Sequence, residues 1–465
     1  MRQILSRAGL CLLCLAFTPL FPCAAEQPNF LLIFTDDHGY GDVSTYHASD
    51  ARTPHIDSLA ADGMLFTAMR ANCTVCSPSR AALLTGRYAD RVGVPGVIRT
   101  HAENSWGYFN PAVPTLADEL KRPDQTILQT FQTNGTLLDD EWGEFLAEQG
   151  ALVGISLDGP VTLHDQYRIN KAGRGTHRQV VRGWEVLRRH GVAANILCTV
   201  NSANADHPLQ VYRHFRDDLG AEHIQFIPIV ERVAAGETTI AEAGWRDPEG
   251  AFVLYRQDGE QVTSRSVRPD RYGQFLIGVF DEWVNNDIGR VFVQDFDVML
   301  GAVFGHFSLC VRAPECGTAL AMEHNGDIYA CDHYVEPGYL LGNLQTMSFA
   351  SALEHPAQRE FGRSKRTNLP TQCVKCPVRW ACHGGCPKDR FCITTDGEPG
   401  LNYLCAGYYS FFNHATPAIL EMAKLLQAGR SAAELMTTNW REASRVRCCV
   451  GSSSSASSAS AGEVP

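Results

Sequence analysis

The sequence predicts an α/β protein built from two unlike parts, the second ending in a cysteine-rich extension. Three observations carry this. Between Thr126 and Ile229, four strand-like apolar runs alternate with helix-like runs, the rhythm of a parallel sheet or partial barrel. Well ahead of them, Asn29 to Phe34 is a separate apolar run ending in Thr35-Asp36-Asp37. From Cys310 to Cys405, nine of the chain's 17 cysteines crowd together, which means disulfides or metal rather than core packing.

At 465 residues the chain has room for two to four domains. Hydrophobic residues make up 45%, enough for ordinary buried cores. The net charge is -11 with no Lys/Arg run, so no nucleic-acid partner is expected. The N-terminus has a basic region at Arg2 and Arg7, an apolar core from Leu10 to Phe21, and small residues before Glu26. This pattern predicts a secretory signal peptide over residues 1–25. The apolar stretch is short and broken by Pro19 and Pro22, which disfavours a membrane span.

Taken in order, Asn29–Phe34 reads as a buried parallel strand with carboxylates at its carboxyl end, where α/β sheets place ligands. Thr53 to Asp62 reads as a helix with Thr53 as N-cap, Pro54 at its first position and Gly63 after its end. Ser77 to Thr85 reads as another helix. The four later strands are expected at Thr126–Thr133, Ala151–Leu157, Val192–Val200 and His223–Ile229. Helices at Leu138–Gln149, Arg178–His190 and His207–Leu219 lie between them, each followed by a glycine suited to a C-cap. Gly451–Pro465 is Ser/Ala-rich and expected to be disordered.

In the first part, Asp36 and Asp37 suit a hard cation such as Ca²⁺, though a turn with a helix cap reads equally well. Cys76-Ser77-Pro78-Ser79-Arg80 opens a helix, so Cys76 sits where backbone N–H groups favour an anion, with Arg80 adding positive charge. Together with Pro54-His55-Ile56-Asp57 and Leu84-Thr85-Gly86-Arg87, these residues resemble the type I sulfatases over about residues 28–122. That resemblance implies an alkaline-phosphatase-like α/β segment, Cys76 as formylglycine precursor, Asp36 and Asp37 as calcium ligands, and Arg80 as a stabiliser. The resemblance stops after Thr115–Lys121, short of the family's remaining metal ligands and sulfate-binding cations.

In the second part the cysteines are spaced C-x5-C-x14-C, then C-x2-C-x5-C-x3-C, then Cys405. Two sets of four thiolates suit Zn²⁺ or [4Fe–4S] clusters alike, and zinc ribbons or disulfides remain alternatives on spacing alone. Gly326-Asp327-Ile328-Tyr329-Ala330-Cys331-Asp332 and Cys382-His383-Gly384-Gly385-Cys386-Pro387 resemble the SPASM-type cluster extension of radical S-adenosylmethionine (SAM) enzymes. Gln132-Thr133-Asn134-Gly135, Gly154 to Pro160, His164-Asp165, Tyr167-Arg168 and Gln225 to Glu231 resemble an anaerobic sulfatase-maturating enzyme. The resemblance spans residues 123–426: a radical SAM partial (β/α) barrel to about residue 300, then the extension, then a helical end and tail over 427–465. It implies two [4Fe–4S] clusters, one on Cys310, Cys316, Cys331 and Cys386, the other on Cys373, Cys376, Cys382 and Cys405. Asp332 becomes the proposed base and Ser156 a SAM contact, although a strand-end cap also accounts for Ser156.

The family's barrel has six strands, and its first two carry a C-x3-C-x2-C loop for the radical-generating cluster and a Gly-Gly-Glu segment for SAM. No such cysteine triplet occurs in the 465 residues; the nearest pattern is Met69-x3-Cys73-x2-Cys76. The barrel is therefore expected to be incomplete, and a fusion is placed at about Arg122/Pro123. Three function classes follow: a maturase that oxidises a sulfatase cysteine, a sulfatase fragment, and a non-catalytic iron–sulfur or peptide-binding remnant. The resemblance implies a sulfatase polypeptide carrying Cys-x-Pro-x-Arg as partner, and a ferredoxin- or flavodoxin-like electron donor. The signal peptide implies export, whereas the cluster-bearing part implies the cytoplasm.

Overall fold

The computed structural model describes residues 43–46, 53–63, 76–94, 129–246, 253, 255–323, 326–344 and 346–438. The expected signal peptide, the Asn29–Phe34 strand with Asp36 and Asp37, Cys73 and the Ser/Ala-rich tail lie outside them. No helix among the described residues is long and apolar enough to cross a membrane. The chain divides into two compact units, Met1–Met64 and Leu65–Pro465.

In the first unit a helix spans Pro54–Asp62. Proline at the first turn loses no hydrogen bond there, and Asp57 complements the helix dipole. Thr53 does not cap it as expected: its side chain makes no bond to the helix backbone. Its hydroxyl instead lies 2.8 Å from the Ser44 hydroxyl and donates to Asp57 at 3.2 Å. Gly63 has φ −127°, so the expected left-handed cap is not formed.

In the second unit a helix runs Cys76–Thr85, placing Cys76 at its first residue. Ala81 packs with Val92 and Val94 in a small cluster of its own.

The sheet that organises the rest is parallel. Its strands are β1 (Thr130–Thr133), β2 (Leu152–Ser156), β3 (Ala193–Val200) and β4 (His223–Pro228). A two-stranded antiparallel pair follows, β5 (Arg232–Val233) with β6 (Gln261–Val262). A fifth sheet strand, β7 (Phe292–Val293), pairs with β4, giving the order β1-β2-β3-β4-β7. This corrects the expected count of four. Two residues beside an 18-residue helix carry too little period-2 signal to read as a strand.

The helices lie where the apolar periodicity put them, at Asp140–Glu148 and His177–Arg189. The third begins as an α-helix over Pro208–Arg213 and ends as a π-turn over His214–Asp218. Gly150, Gly191 and Gly220 all have φ near +60 to +70°, at 58°, 69° and 61°. That left-handed conformation ends each helix without a Cβ clash.

Alternation along the strands sorts their faces. Val153, Ile155, Ile196, Cys198, Val200, Ile224 and Phe226 are buried in the main core. The opposite face carries Gln132, Ser156, Thr199 and Gln225. Ser156 accepts a hydrogen bond from Gln132 Nε2 at 3.2 Å, and Gln225 donates to Gln294. A polar inner face suits a ligand cavity rather than a packed barrel interior.

The cysteine-rich extension adds a three-stranded antiparallel sheet, β8 (Ala321–Met322), β9 (Asp327–Tyr329) and β10 (Leu340–Asn343). A small pair follows, β11 (Cys392–Ile393) with β12 (Pro399–Leu401). Its last cysteine begins a 23-residue helix, Cys405–Gln427, which packs along the sheet-side helix Pro269–Asn286. Phe280 and Phe296 from the barrel meet Phe411 edge-on and tilted, at 6.1 and 5.7 Å between ring centres. Barrel and extension thus share one core. The two helices cross in backbone contact at Gly273 and Gly407, where a Cβ on Gly407 would lie 2.1 Å from the Pro269 carbonyl.

Rigid backbone cannot give way at that crossing. Gly407→Ala should therefore lower the unfolding free energy by about 1–3 kcal/mol, the usual cost of overpacking. Gly338→Ala, where a Cβ meets open space, should be near neutral. Paired denaturant titrations check the difference.

Candidate functional site

The carboxyl ends of β2, β3 and β4 open onto a cleft of about 460 Å³ lined by Asp158, Arg168, Asn201, Glu231, Arg265 and Lys388 among others. This is where a parallel α/β sheet exposes backbone and side chains to a ligand. Asp158 is nearly fully buried after β2. Arg168 clamps it with bonds of 2.5 and 3.1 Å, and the Thr199 N–H donates to it at 2.8 Å. Glu231 after β4 is held by the Trp245 indole at 2.6 Å, the Thr263 hydroxyl at 2.8 Å and Arg265 at 2.7 Å. Both carboxylates are thus fixed in place with counter-charges supplied, and Lys388 brings a further cation from the extension.

His164 supports this frame. Its Nδ1 accepts the Asp158 N–H at 3.2 Å, and its Nε2 lies 3.1 Å from the Thr176 hydroxyl. Accepting at Nδ1 requires a neutral ring. Burial pushes its pKa down to about 4, outweighing the pull of Asp158.

The cysteines fall into two groups. Cys373, Cys376, Cys382 and Cys405 line one small space of about 30 Å³ with Arg379, Asn402 and Tyr409. The other set is joined through electrostatic neighbours: Cys316 with Cys310, Cys331 with Cys386, and Cys386 with Cys310. The sequence-adjacent Cys382 and Cys386 therefore part company, one facing each group. Cys392, outside both sets of four, is an electrostatic neighbour of Cys405 and lies near Arg232, with its thiol raised by burial. The ten described cysteines are all free, so no disulfide forms among them.

The donor chemistry fits a soft metal or cluster. Burial pushes the thiols of Cys331, Cys386 and Cys405 up to about 12 and that of Cys373 to about 11. Such thiols stay protonated at neutral pH until a metal displaces the proton. Among the described residues, the trio of potential donor atoms all within 4.8 Å of one another is Cys331, Asp332 and His333. Neither quartet is drawn in to the S···S spacing of about 3.8 Å that one tetrahedral zinc imposes through Zn–S bonds of about 2.3 Å.

Asp332 is 74% exposed and accepts from the Cys331 thiol at 3.1 Å, with His333 Nδ1 also at 3.1 Å. Burial raises its pKa, but the Cys331 and His333 contacts outweigh this and hold the carboxyl low. Gln257 donates to the His333 carbonyl at 2.7 Å, two residues from the cleft residue Tyr255. Ser156 is buried at the end of β2 beside Gln132. In the sulfatase-like part, Cys76 and Arg80 lie in one helix, with Arg80 exposed.

Sequence reasoning missed the cations around the cysteines. Lys365 is fully buried, and its Nζ donates to the Cys310 carbonyl at 2.7 Å and to the Ala313 carbonyl. Arg312 is buried, 3.2 Å from Asp295 and stacked 4.1 Å from the Tyr408 ring centre. Arg390 bonds to backbone carbonyls in the Cys382–Cys386 loop. A basic residue near cysteines looks like any solvated charge in a sequence, and nothing in its spacing marks it.

Fold and site together define a partial-barrel protein with a thiolate-rich, iron–sulfur-type extension. An iron-sulfur cluster-binding domain family, SPASM, matches residues 310–377, and the Sulfatase family matches residues 28–142. The serine-type anaerobic sulfatase-maturating enzyme of Bacteroides thetaiotaomicron is 42% identical over 315 residues, 67% of this chain and 73% of that protein. The cysteine-type enzyme of Clostridium perfringens (strain 13) is 33% identical, covering 64% of this chain and 74% of that protein. A solved structure, native anSMEcpe with bound AdoMet and Cp18Cys peptide, superposes with a TM-score of 0.54 at 31% identity. That superposition covers 65% of this chain and 78% of the other. The chain belongs to the anaerobic sulfatase-maturating enzyme family. At its other end, arylsulfatase A of Bos taurus is 53% identical over 76 residues, 16% of this chain and 15% of that protein.

The buried neutral His164 has a pH signature. The unfolded chain takes a proton near pH 6.5 and the folded chain only near 4. Its contribution is therefore intact above pH 6.5 and lost as pH falls toward 4. Between pH 7 and 5 the native protein should lose about 2 kcal/mol more stability than His164→Gln, measured by denaturant unfolding at each pH.

Proposed function

We propose that residues 129–438 form the substrate-binding and electron-accepting body of an anaerobic sulfatase maturase. Its substrate is a sulfatase polypeptide, whose active-site cysteine or serine is oxidised at Cβ to formylglycine. The observation that carries this is the pairing of two separate cysteine quartets with a polar cleft at the strand ends. Each quartet would hold one [4Fe–4S] cluster, Cys310, Cys316, Cys331 and Cys386 for one, and Cys373, Cys376, Cys382 and Cys405 for the other. SAM, when bound beside a radical-generating cluster, supplies the species that removes the Cβ hydrogen. This chain's own residues would do the rest. Arg168, Arg265 and Lys388 hold the peptide and its counter-charges in the cleft, and Ser156 with Gln132 lines the SAM end. Asp332, kept ionised by its neighbours, takes the proton from the substrate thiol or hydroxyl. A ferredoxin- or flavodoxin-like donor would supply reducing electrons.

The 465 residues hold no C-x3-C-x2-C triplet. Three thiolates are needed so that SAM can occupy the fourth iron's open position. The proposed chain therefore depends on a radical-generating segment that these residues do not supply.

The sulfatase match supports a second reading for the head, a segment of a sulfuric ester hydrolase. On that reading Cys76 is the formylglycine precursor, Arg80 supports it, and Asp36 and Asp37 bind Ca²⁺.

Anaerobic reconstitution should load about eight irons, two clusters of four. Stoichiometric zinc, or near twelve irons, would overturn the assignment.

The activity test measures 5′-deoxyadenosine under reducing, anaerobic conditions. The chain alone should form none. Joined to an upstream segment carrying C-x3-C-x2-C and Gly-Gly-Glu, it should cleave SAM and oxidise a Cys-x-Pro-x-Arg peptide. In that restored protein, Asp332→Asn should abolish peptide oxidation more severely than SAM cleavage. Product from the unmodified chain would refute the proposed dependence, and a silent restored protein would refute the maturase reading.

A further inference from the structure

Cys382 and Cys386 face different quartets, and only His383, Gly384 and Gly385 separate them. All three intervening residues have positive φ, 45°, 74° and 63°. Left-handed backbone at three successive residues costs energy, above all for His383. What it produces is a tight curl with its carbonyls turned onto one group, the Arg390 guanidinium. Arg390 donates to the Gly384 carbonyl at 3.0 Å, His383 at 2.9 Å, Gly385 at 3.3 Å, and Lys365 at 2.7 Å. A Cβ on Gly384 would lie 2.8 Å from Arg390 Nη2, so the loop closes around this arginine only with glycine there.

The charge of Arg390 has no acidic partner. Its four bonds go to neutral carbonyls, and among the described residues no carboxylate lies within ion-pair distance of it. The anionic groups it faces are thiols: Cys373 and Cys382 from one quartet, Cys386 and Cys316 from the other. Lys365 also faces thiols of both quartets, Cys316, Cys386 and Cys310 from one and Cys382 from the other, but its Nζ bonds to the Cys310 and Ala313 carbonyls and not to the loop that links the two sites. Arg312 reaches Cys382, but Asp295 offsets its charge.

We propose that Arg390 is a charge bridge between the two cluster sites, setting the reduction potential of both. The inference rests on the two-cluster reading. A [4Fe–4S] cluster with four thiolates goes from net charge −2 to −3 when it takes one electron from an external reductant such as dithionite. A fixed cation nearby favours the more negative state and raises the potential. Arg390, shared between the sites, also lessens the repulsion between two adjacent anionic clusters.

The test is an EPR-monitored dithionite titration of the reconstituted full chain, with iron content measured on every sample. Arg390→Gln keeps a donor and removes the charge. It should shift the equilibrium of both clusters toward the oxidised form by about tenfold, equivalent to about 59 mV for a one-electron couple. Arg390→Lys keeps the charge and should leave both near wild type. Loss of iron in Arg390→Gln but not in Arg390→Lys also supports a charge role. The proposal is overturned by unchanged potentials in Arg390→Gln, by a shift confined to one signal, or by iron loss in both Arg390 variants. Failure of the two-cluster reading shows separately, as wild-type iron far from eight.

Discussion

Eight thiols gathered in one small extension set the terms for the rest of the structure. Left protonated, all but the exposed Cys310 are half-buried polar groups; with metal, they would be partly buried anions. Isolated buried charge is among the costliest things a fold can hold, so it must be met by opposite charge and hydrogen bonds. Lys365, Arg390 and Arg312 meet it here. Each is itself stabilised by a different means, Lys365 and Arg390 by backbone carbonyls and Arg312 by Asp295 and two aromatic rings.

The same contacts join the extension to the barrel. Arg312, in one turn with Cys310, pairs with Asp295 in the helix Gln294–Val303. It also stacks on Tyr408 and Phe412 from the helix that starts at Cys405. Two cysteine ligand positions are therefore tied to the packing of the aromatic core around Phe280, Phe296 and Phe411. Lys388, two residues past Cys386, lines the cleft at the strand ends. Cleft and cysteine groups are thus joined through one packed core.

Much of this was legible in the sequence. The helices between strands were marked by apolar periodicity and by Gly150, Gly191 and Gly220, whose left-handed backbone only glycine adopts cheaply. The motif segments around Asp158, Arg168 and Glu231 fell together because parallel strands present their carboxyl ends on one side. The partition of Cys382 and Cys386 into different groups was implied by family resemblance alone; spacing would sooner keep them together. Strand β7 was invisible because two residues carry no period. Thr53 failed as a cap because Ser44 and Asp57 offer its hydroxyl better partners across the loop. The buried cations were invisible because burial of a Lys or Arg is decided by tertiary carbonyls, which no local pattern encodes.

The register of the described sheet starts from β1. Register in a sheet is pinned pairwise, and β1 is locked to β2 by four successive pairs from Thr130–Leu152 to Thr133–Ile155. Every later strand is fixed in turn through β2, β3 and β4. None of these pairings depends on what precedes Thr130. The main hydrophobic core likewise begins at Leu138, and the Ala81, Val92 and Val94 cluster shares no member with it. The described sheet is therefore pinned from β1 onward by its own pairings. It leaves β1 with Phe131 39% exposed and, among the described residues, paired on one side only. An edge strand of this kind is a ready template for another strand. That edge lies beside the polar face that Gln132 and Ser156 share.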